Sequence, residues 1–211
     1  MKKSLFGTAF AVCLLLGGCA EAPPKAIEHY TLAGAGAAAG AAAVQAEQQS
    51  PEVLRVLPVT APAWLQGTAI CYRMAYHSDS QVASYADSRW SAPLPQMVEE
   101  LTQNALSDRH AWKAVVGPGD NAKADTAVRI HLLNLCQDFQ APDRSAVVLD
   151  ARVTLVNTGN SQVLAQREFR YRQATPTPDA PGGVKAAREA AGQFAGDLTD
   201  WIAGLALQDK Q

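Results

Sequence analysis

Long apolar runs, aromatic residues and clustered charge are all scarce in this chain. Aromatics make up 7% of its 211 residues and charged side chains 18%. The longest apolar run, Leu5–Leu16, falls short of the roughly 20 residues that cross a bilayer as a stable helix, so it is not read as a permanent transmembrane anchor. Arginine and lysine form no basic stripe and do not alternate with aromatics, which argues against nucleic acid as a partner. His29, His77, His110 and His131 are scattered, with no His-x-x-x-His pair, so neither a metal nor another cofactor is expected. No Gly-x-Ser-x-Gly elbow and no Gly-x-x-x-x-Gly-Lys phosphate loop occurs. Gly117-Pro118-Gly119-Asp120 reads as a turn, because Pro118 lacks the amide donor that a phosphate cradle needs. Asp138, Asp143 and Asp150 fall at strand ends and on a wet strand face, where carboxylates are solvated rather than catalytic. The chain is therefore not read as an enzyme.

What is present begins at the N-terminus. Met1-Lys2-Lys3 is a charged start, Leu5–Leu16 an apolar core, and Leu16-Gly17-Gly18-Cys19 fits a bacterial lipobox at every position. Small residues before Cys19 let extended backbone enter a signal peptidase, and its thiol takes a diacylglyceryl group as a thioether. Cys19 is thus the expected lipidation site and residues 1–18 the expected signal peptide. Several acyl chains exceed the one-chain threshold for stable anchoring, at about 0.8 kcal/mol per buried methylene. Ala20 stands where, in enteric bacteria, Asp resembles the signal for inner-membrane retention, so the expected location is the outer membrane, facing the periplasm.

Of four cysteines, Cys13 leaves with the signal and Cys19 is acylated, which leaves Cys71 and Cys136. In an oxidising periplasm they are a candidate disulfide. Two buried, unpaired thiols on neighbouring strands are the alternative.

Residues 19–27 read as a lipidated tether and 28–207 as one domain with an Ala/Gly-rich insertion at 33–50. Gly34 to Gly40 has one residue too many for a dinucleotide fingerprint and is low complexity. Short strands are predicted at Glu28–Leu32, Val53–Val59, Ala69–Ala75, Gln81–Tyr85 and Lys113–Val116. Ser91 or Pro93 starts a helix in which Leu94, Met97, Val98, Leu101 and Ala105 share a face. Asp125–Phe139 is a long β-rich run. Then comes a hairpin: Val147, Leu149, Ala151, Val153 and Leu155 line one face, and the turn from Asn157 leads to Val163, Ala165, Phe169 and Tyr171. Arg152 and Glu168 face each other across its wet side. Thr175–Gly183 is predicted to break the chain before a last helix, Val184–Leu207, whose apolar stripe lies on a sheet or, alternatively, against a second subunit in a homo-oligomer.

Val53-Leu-Arg-Val-Leu-Pro-Val59 with Pro62-Ala-Trp64-Leu65, then Ile70-Cys-Tyr-Arg73, then Tyr85 with Ser88-Arg89-Trp90-Ser91-Ala92-Pro93, resemble in order and spacing the ABC-type transport auxiliary lipoprotein family. Tyr30-Thr31-Leu32 after a lipobox is similar too. The chain departs from the family in its Ala-rich insertion and in Trp64, where tyrosine is common. The resemblance implies an α/β fold, a mixed β-sheet packed by two main helices, similar to the anticodon-binding-domain-like fold. It also implies an accessory role beside an ABC transporter permease and ATPase and an MCE-domain protein that move lipids between membranes. Trp64, Leu65, Tyr72, Arg73, Arg89 and Trp90 are then the candidate partner-binding residues, since large amphipathic side chains near loops are common interface anchors. An outer-membrane assembly or cell-wall regulatory scaffold is the alternative role.

Overall fold

The computed structural model describes residues 26–33 and 50–208. The signal peptide, Cys19, most of the tether and most of the Ala-rich insertion lie outside the described residues. Eight strands and two helices follow in the order β1 (Glu28–Tyr30), β2 (Ser50–Val56), β3 (Ala69–Met74), β4 (Val82–Trp90), α1 (Leu94–Asp108), β5 (Trp112–Val116), β6 (Thr126–Ala141), β7 (Arg144–Asn157), β8 (Val163–Ala174) and α2 (Ala180–Gln208). They form one mixed sheet with both helices on one face, which is the expected fold class.

The longest strand organises the sheet. One edge of β6 pairs antiparallel with β7 over nearly its whole length, from Thr126↔Asn157 to Ala141↔Arg144. Its other edge is shared: β2 runs parallel to its start through Leu54↔Thr126, and β3 runs parallel to its end through Tyr72↔Gln137. β4 then pairs with β3, β1 with β4, β5 with β2, and β8 with β7.

Alternation decides which side is covered. Leu149, Ala151 and Val153 of β7 are at most 1% exposed beneath α2, whereas Asp150 and Arg152 between them point the other way. Most of the α2 stripe is core: Val184, Ala187, Ala191, Phe194 and Leu198 are buried, and Trp201 and Leu205 at its end are part-buried against it. Ala186, Ala190 and Ala195 are buried as well. Phe169 of β8 meets Phe194 edge-on at 5.5 Å and Trp201 at 5.9 Å, contacts that add to plain area burial. In α1, Leu94, Met97, Val98 and Leu101 are buried as predicted, and Arg109 after its last turn reaches Asp200 of α2 at 3.1 Å. Among the described residues the buried core runs from Leu32 to Ile202, all of it within the chain from Ala20 onward.

The structure departs from the sequence reading in several places; β2, for one, spans Ser50–Val56 rather than Val53–Val59. β4 does not stop at Tyr85 but continues to Trp90, because its register with β3 jumps from Cys71↔Ser84 to Ala69↔Arg89. The extra residues form a bulge that breaks the period-two signal. Val163, which opens the second strand of the hairpin, is 62% exposed at the start of the edge strand. The last helix starts at Ala180, ahead of Pro181-Gly182-Gly183. Proline is tolerated in a first turn, whose amides have no helical partner anyway. Asp179 caps that turn: its Oδ1 accepts the Gly182 N–H at 2.8 Å and its carbonyl accepts Gly183 N–H at 2.9 Å. A side chain at Gly182 would collide with the Thr177 carbonyl, and one at Gly183 with the Gln137 amide oxygen. Both glycines are therefore demanded by close approach, not by chain breaking.

Candidate functional site

Between β2 and β3 the chain does not leave β6. Thr60 N–H donates to the Ile130 carbonyl at 3.1 Å and accepts Leu132 N–H at 2.8 Å through its own carbonyl. This connection and the first turns of α1 enclose an open groove of about 420 Å³. Pro58, Pro93, Pro95 and Pro118 supply much of its wall, so the wall is stiff and poor in amide donors. Gln66 and Glu99 supply polar groups, but both are already engaged: Glu99 accepts Val59 N–H at 3.1 Å and Gln66 donates to the Ala61 carbonyl at 3.0 Å. Among the described residues no group of three or more His, Cys, Asp or Glu could hold a metal ion. Such a groove offers shape and apolar contact and no reactive group.

The six candidate partner-binding residues separate once folded. Trp64 lies on the 3-10 turn Ala63–Leu65, between the groove residues Ala61 and Gln66, and is 44% exposed. Leu65 and Trp90 are corrected to core positions at 2% and 3% exposure, because the turn folds Leu65 inward and the extended β4 carries Trp90 under the helices. Arg89 is committed to the bulge, where its guanidinium donates to the carbonyls of Tyr85 and Ser88. Tyr72 meets Tyr85 at a tilt, ring centroids 4.8 Å apart, and Phe139 edge-on at 6.0 Å. Tyr85 in turn donates to Gln137 Oε1 at 2.8 Å, and burial pushes its phenol well above the usual range. Arg73 Nε lies 3.2 Å from Asp138 Oδ1. Burial raises the Asp138 carboxyl above the usual carboxylate range, and the nearby guanidinium groups of Arg73 and Arg172 offset only part of that. Of the six, Trp64 alone presents a large apolar surface to solvent beside the groove.

Cys71 and Cys136 are bonded, with Cα atoms 5.1 Å apart. The parallel register that pairs Tyr72 with Gln137 sets the two cysteines side by side on the face away from the helices. Crosslinking across 65 residues contributes roughly 4 kcal/mol in the chain-entropy model.

The model of the ABC-type transport auxiliary lipoprotein component matches residues 30–199, from the last residue of β1 to most of α2. The chain belongs to that family. No curated protein matches it. The fold is similar to that of protein XCC0632 from Xanthomonas campestris, 20% identical, with a TM-score of 0.71 over 79% of this chain and 92% of that one. It is also similar to the solved structure of an uncharacterized protein, 18% identical, with a TM-score of 0.65 over 84% of this chain and 99% of that one. The chain is thus an auxiliary lipoprotein of an ABC transport system, and no helix among the described residues is long and apolar enough to cross a membrane.

Sequence reasoning passed over one group entirely. Arg129, Arg170 and Arg172 join Arg152 on the uncovered face of the sheet. Their signal was the polar alternation Gln166, Glu168, Arg170, Arg172 along β8, opposite the buried Phe169.

Proposed function

We propose that this chain is a non-enzymatic accessory lipoprotein, held on the outer membrane through acylated Cys19, that docks onto an MCE-domain protein and the permease and ATPase of its ABC transporter. It helps lipid pass between the membranes by binding partners and carries out no hydrolysis. Residues 1–18 are its signal peptide, 19–27 its tether and 28–207 its working domain. The exposed indole of Trp64 beside a stiff, proline-walled groove carries the reading, because rigid aromatic anchors next to a pocket are the features that hold protein interfaces together.

The test is co-purification of the full-length lipoprotein with the MCE and permease components, repeated with Trp64→Ala. Recovery falls several-fold while thermal unfolding stays unchanged, since the indole is half in solvent. Unchanged recovery would return Trp64 to a surface role. Mass spectrometry of the mature N-terminus checks the anchor separately, and a residue 19 without acyl chains overturns that part.

A further inference from the structure

Arg55, Arg73, Arg129, Arg152, Arg170 and Arg172, all in strands, share the sheet face that no helix covers among the described residues. No lysine of the described strands joins them. The acids on that face are Asp138, Asp150 and Glu168. Arg73 is spent on Asp138, and Arg55 on the carbonyls of Gly117, Asp120 and Ala122. Arg152 and Arg170 divide one carboxylate between them, at 2.8 and 2.7 Å from the two oxygens of Glu168. Arg129 and Arg172, both exposed, stand outside these pairs. Positive charge is therefore in excess here although the chain as a whole carries −2.

The surface between these arginines is low. Ala146, Val148, Thr154 and Ala174 lie in the same rows, so the guanidinium groups stand above a flat floor rather than around a pocket. A planar fork suits bidentate contact with phosphate oxygens better than an ammonium does. A flat array of such forks matches a repeating plane of phosphates.

We infer that this face lies on the anionic phospholipid headgroups of the membrane that holds the lipid anchor. The inference rests on the anchored reading above. β1, where the tether enters, and β8 are the two ends of the path β1-β4-β3-β6-β7-β8, about 24 Å apart at ~4.8 Å per strand. Residues 19–27 reach at most about 30 Å when extended, enough for the acyl chains and the far end of the face to meet one bilayer. Because the anchor already holds the domain at the surface, weak electrostatic contacts suffice to orient it. Docking this way leaves α1, the groove and Trp64 facing away from the bilayer, toward partners in the periplasm.

The experiment uses the chain from residue 20 to 211, which keeps the whole core and lacks the acylated cysteine, so it reads the face independently of the anchor. It is sedimented with vesicles of phosphatidylglycerol and phosphatidylethanolamine, and with vesicles of phosphatidylcholine alone. Binding to the anionic vesicles is expected to exceed binding to the neutral ones and to collapse when salt rises from roughly 0.05 M to roughly 0.5 M. Combined Arg129→Gln, Arg170→Gln and Arg172→Gln should cut anionic partitioning about 100-fold, at ~1 kcal/mol per basic residue near the surface, with circular dichroism unchanged. Equal binding to both vesicle types, or a triple variant that binds like the parent, overturns the inference. So does a triple variant of the full lipoprotein that keeps its vesicle affinity but loses the MCE and permease components, which would assign the face to an acidic protein surface. Failed acylation of Cys19 in the full chain would instead strike the anchored reading and leave the vesicle result standing.

Discussion

Leu149 and Asp150 are consecutive residues of β7, and they belong to two different surfaces. Leu149 is 1% exposed, closed in by α2, while Asp150 faces Arg170 across the open side of the same sheet. The covered face is built from Val, Leu, Ala and Phe under two helices. The open face holds arginines, three acids and short side chains. The comparison teaches that stability and recognition are divided between the faces of one sheet: most hydrophobic burial is on one side, so the exposed charges of the other can vary at little cost to folding. Groove and disulfide complicate that division, since the Cys71–Cys136 bond contributes stability from the open side.

The strongest way to break the comparison is to damage the covered face. Phe194 is 1% exposed and packs edge-on against Phe169, so Phe194→Ala should cost about 4 kcal/mol in denaturant unfolding. Gly183→Ala comes next, at about 2 kcal/mol, because its new methyl meets the Gln137 amide, which Tyr85 and Ser145 already hold in place. A neutral Gly183→Ala would mean that α2 does not seat as tightly as its first turn implies.

Asp179→Ala removes the cap of α2 and should cost about 1 kcal/mol at neutral pH. This loss carries a pH signature. Hydrogen bonds from Thr177 Oγ1 and the Gly182 amide hold the Asp179 carboxyl below the usual carboxylate range, so its contribution is complete above about pH 4 and disappears as pH falls through its folded value. Wild type and variant therefore converge on acidification. Asp138, on the open face, runs the other way: burial raises its carboxyl, so its ionisation works against folding, and protonation on acidification relieves that cost. Urea titrations of Asp179→Ala and Asp138→Asn across pH 3 to 7 should therefore show trends of opposite sign.

Much of the covered face could be read before folding. The steps of three and four from Val184 to Leu198 and the alternation from Val147 to Leu155 are direct images of a helix and a strand with one buried side. The lone arginines and the bulge could not be read so. β4 carries extra residues between Ser84 and Arg89, which scrambles its alternation, and Arg89 looked like an interface residue because nothing local reveals the carbonyls it binds. Leu65 and Trp90 were misplaced for a related reason: an apolar residue in a Pro- or Ser-flanked segment looks the same whether the turn folds it inward or outward. The open arginine face required the pairing of β6, β7 and β8, because residues 129, 152, 170 and 172 are far apart in the chain and meet only through register.

The smallest expected effect sharpens the comparison most. Arg152 donates to Glu168 Oε1 through Nε at 3.1 Å and Nη2 at 2.8 Å, an arrangement that on a drawing looks strong. Its side chain is 45% exposed, however, and Arg170 already occupies the other oxygen of the same carboxylate, so removing one guanidinium leaves Glu168 partnered. Exposed pairs of this kind contribute about 0 to 1 kcal/mol. Arg152→Ala should accordingly shift unfolding by no more than about 0.5 kcal/mol, and by less still at high salt. Were it to cost as much as Gly183→Ala, the open face would be a structural surface after all, and its arginines would be explained by folding rather than by the membrane they face.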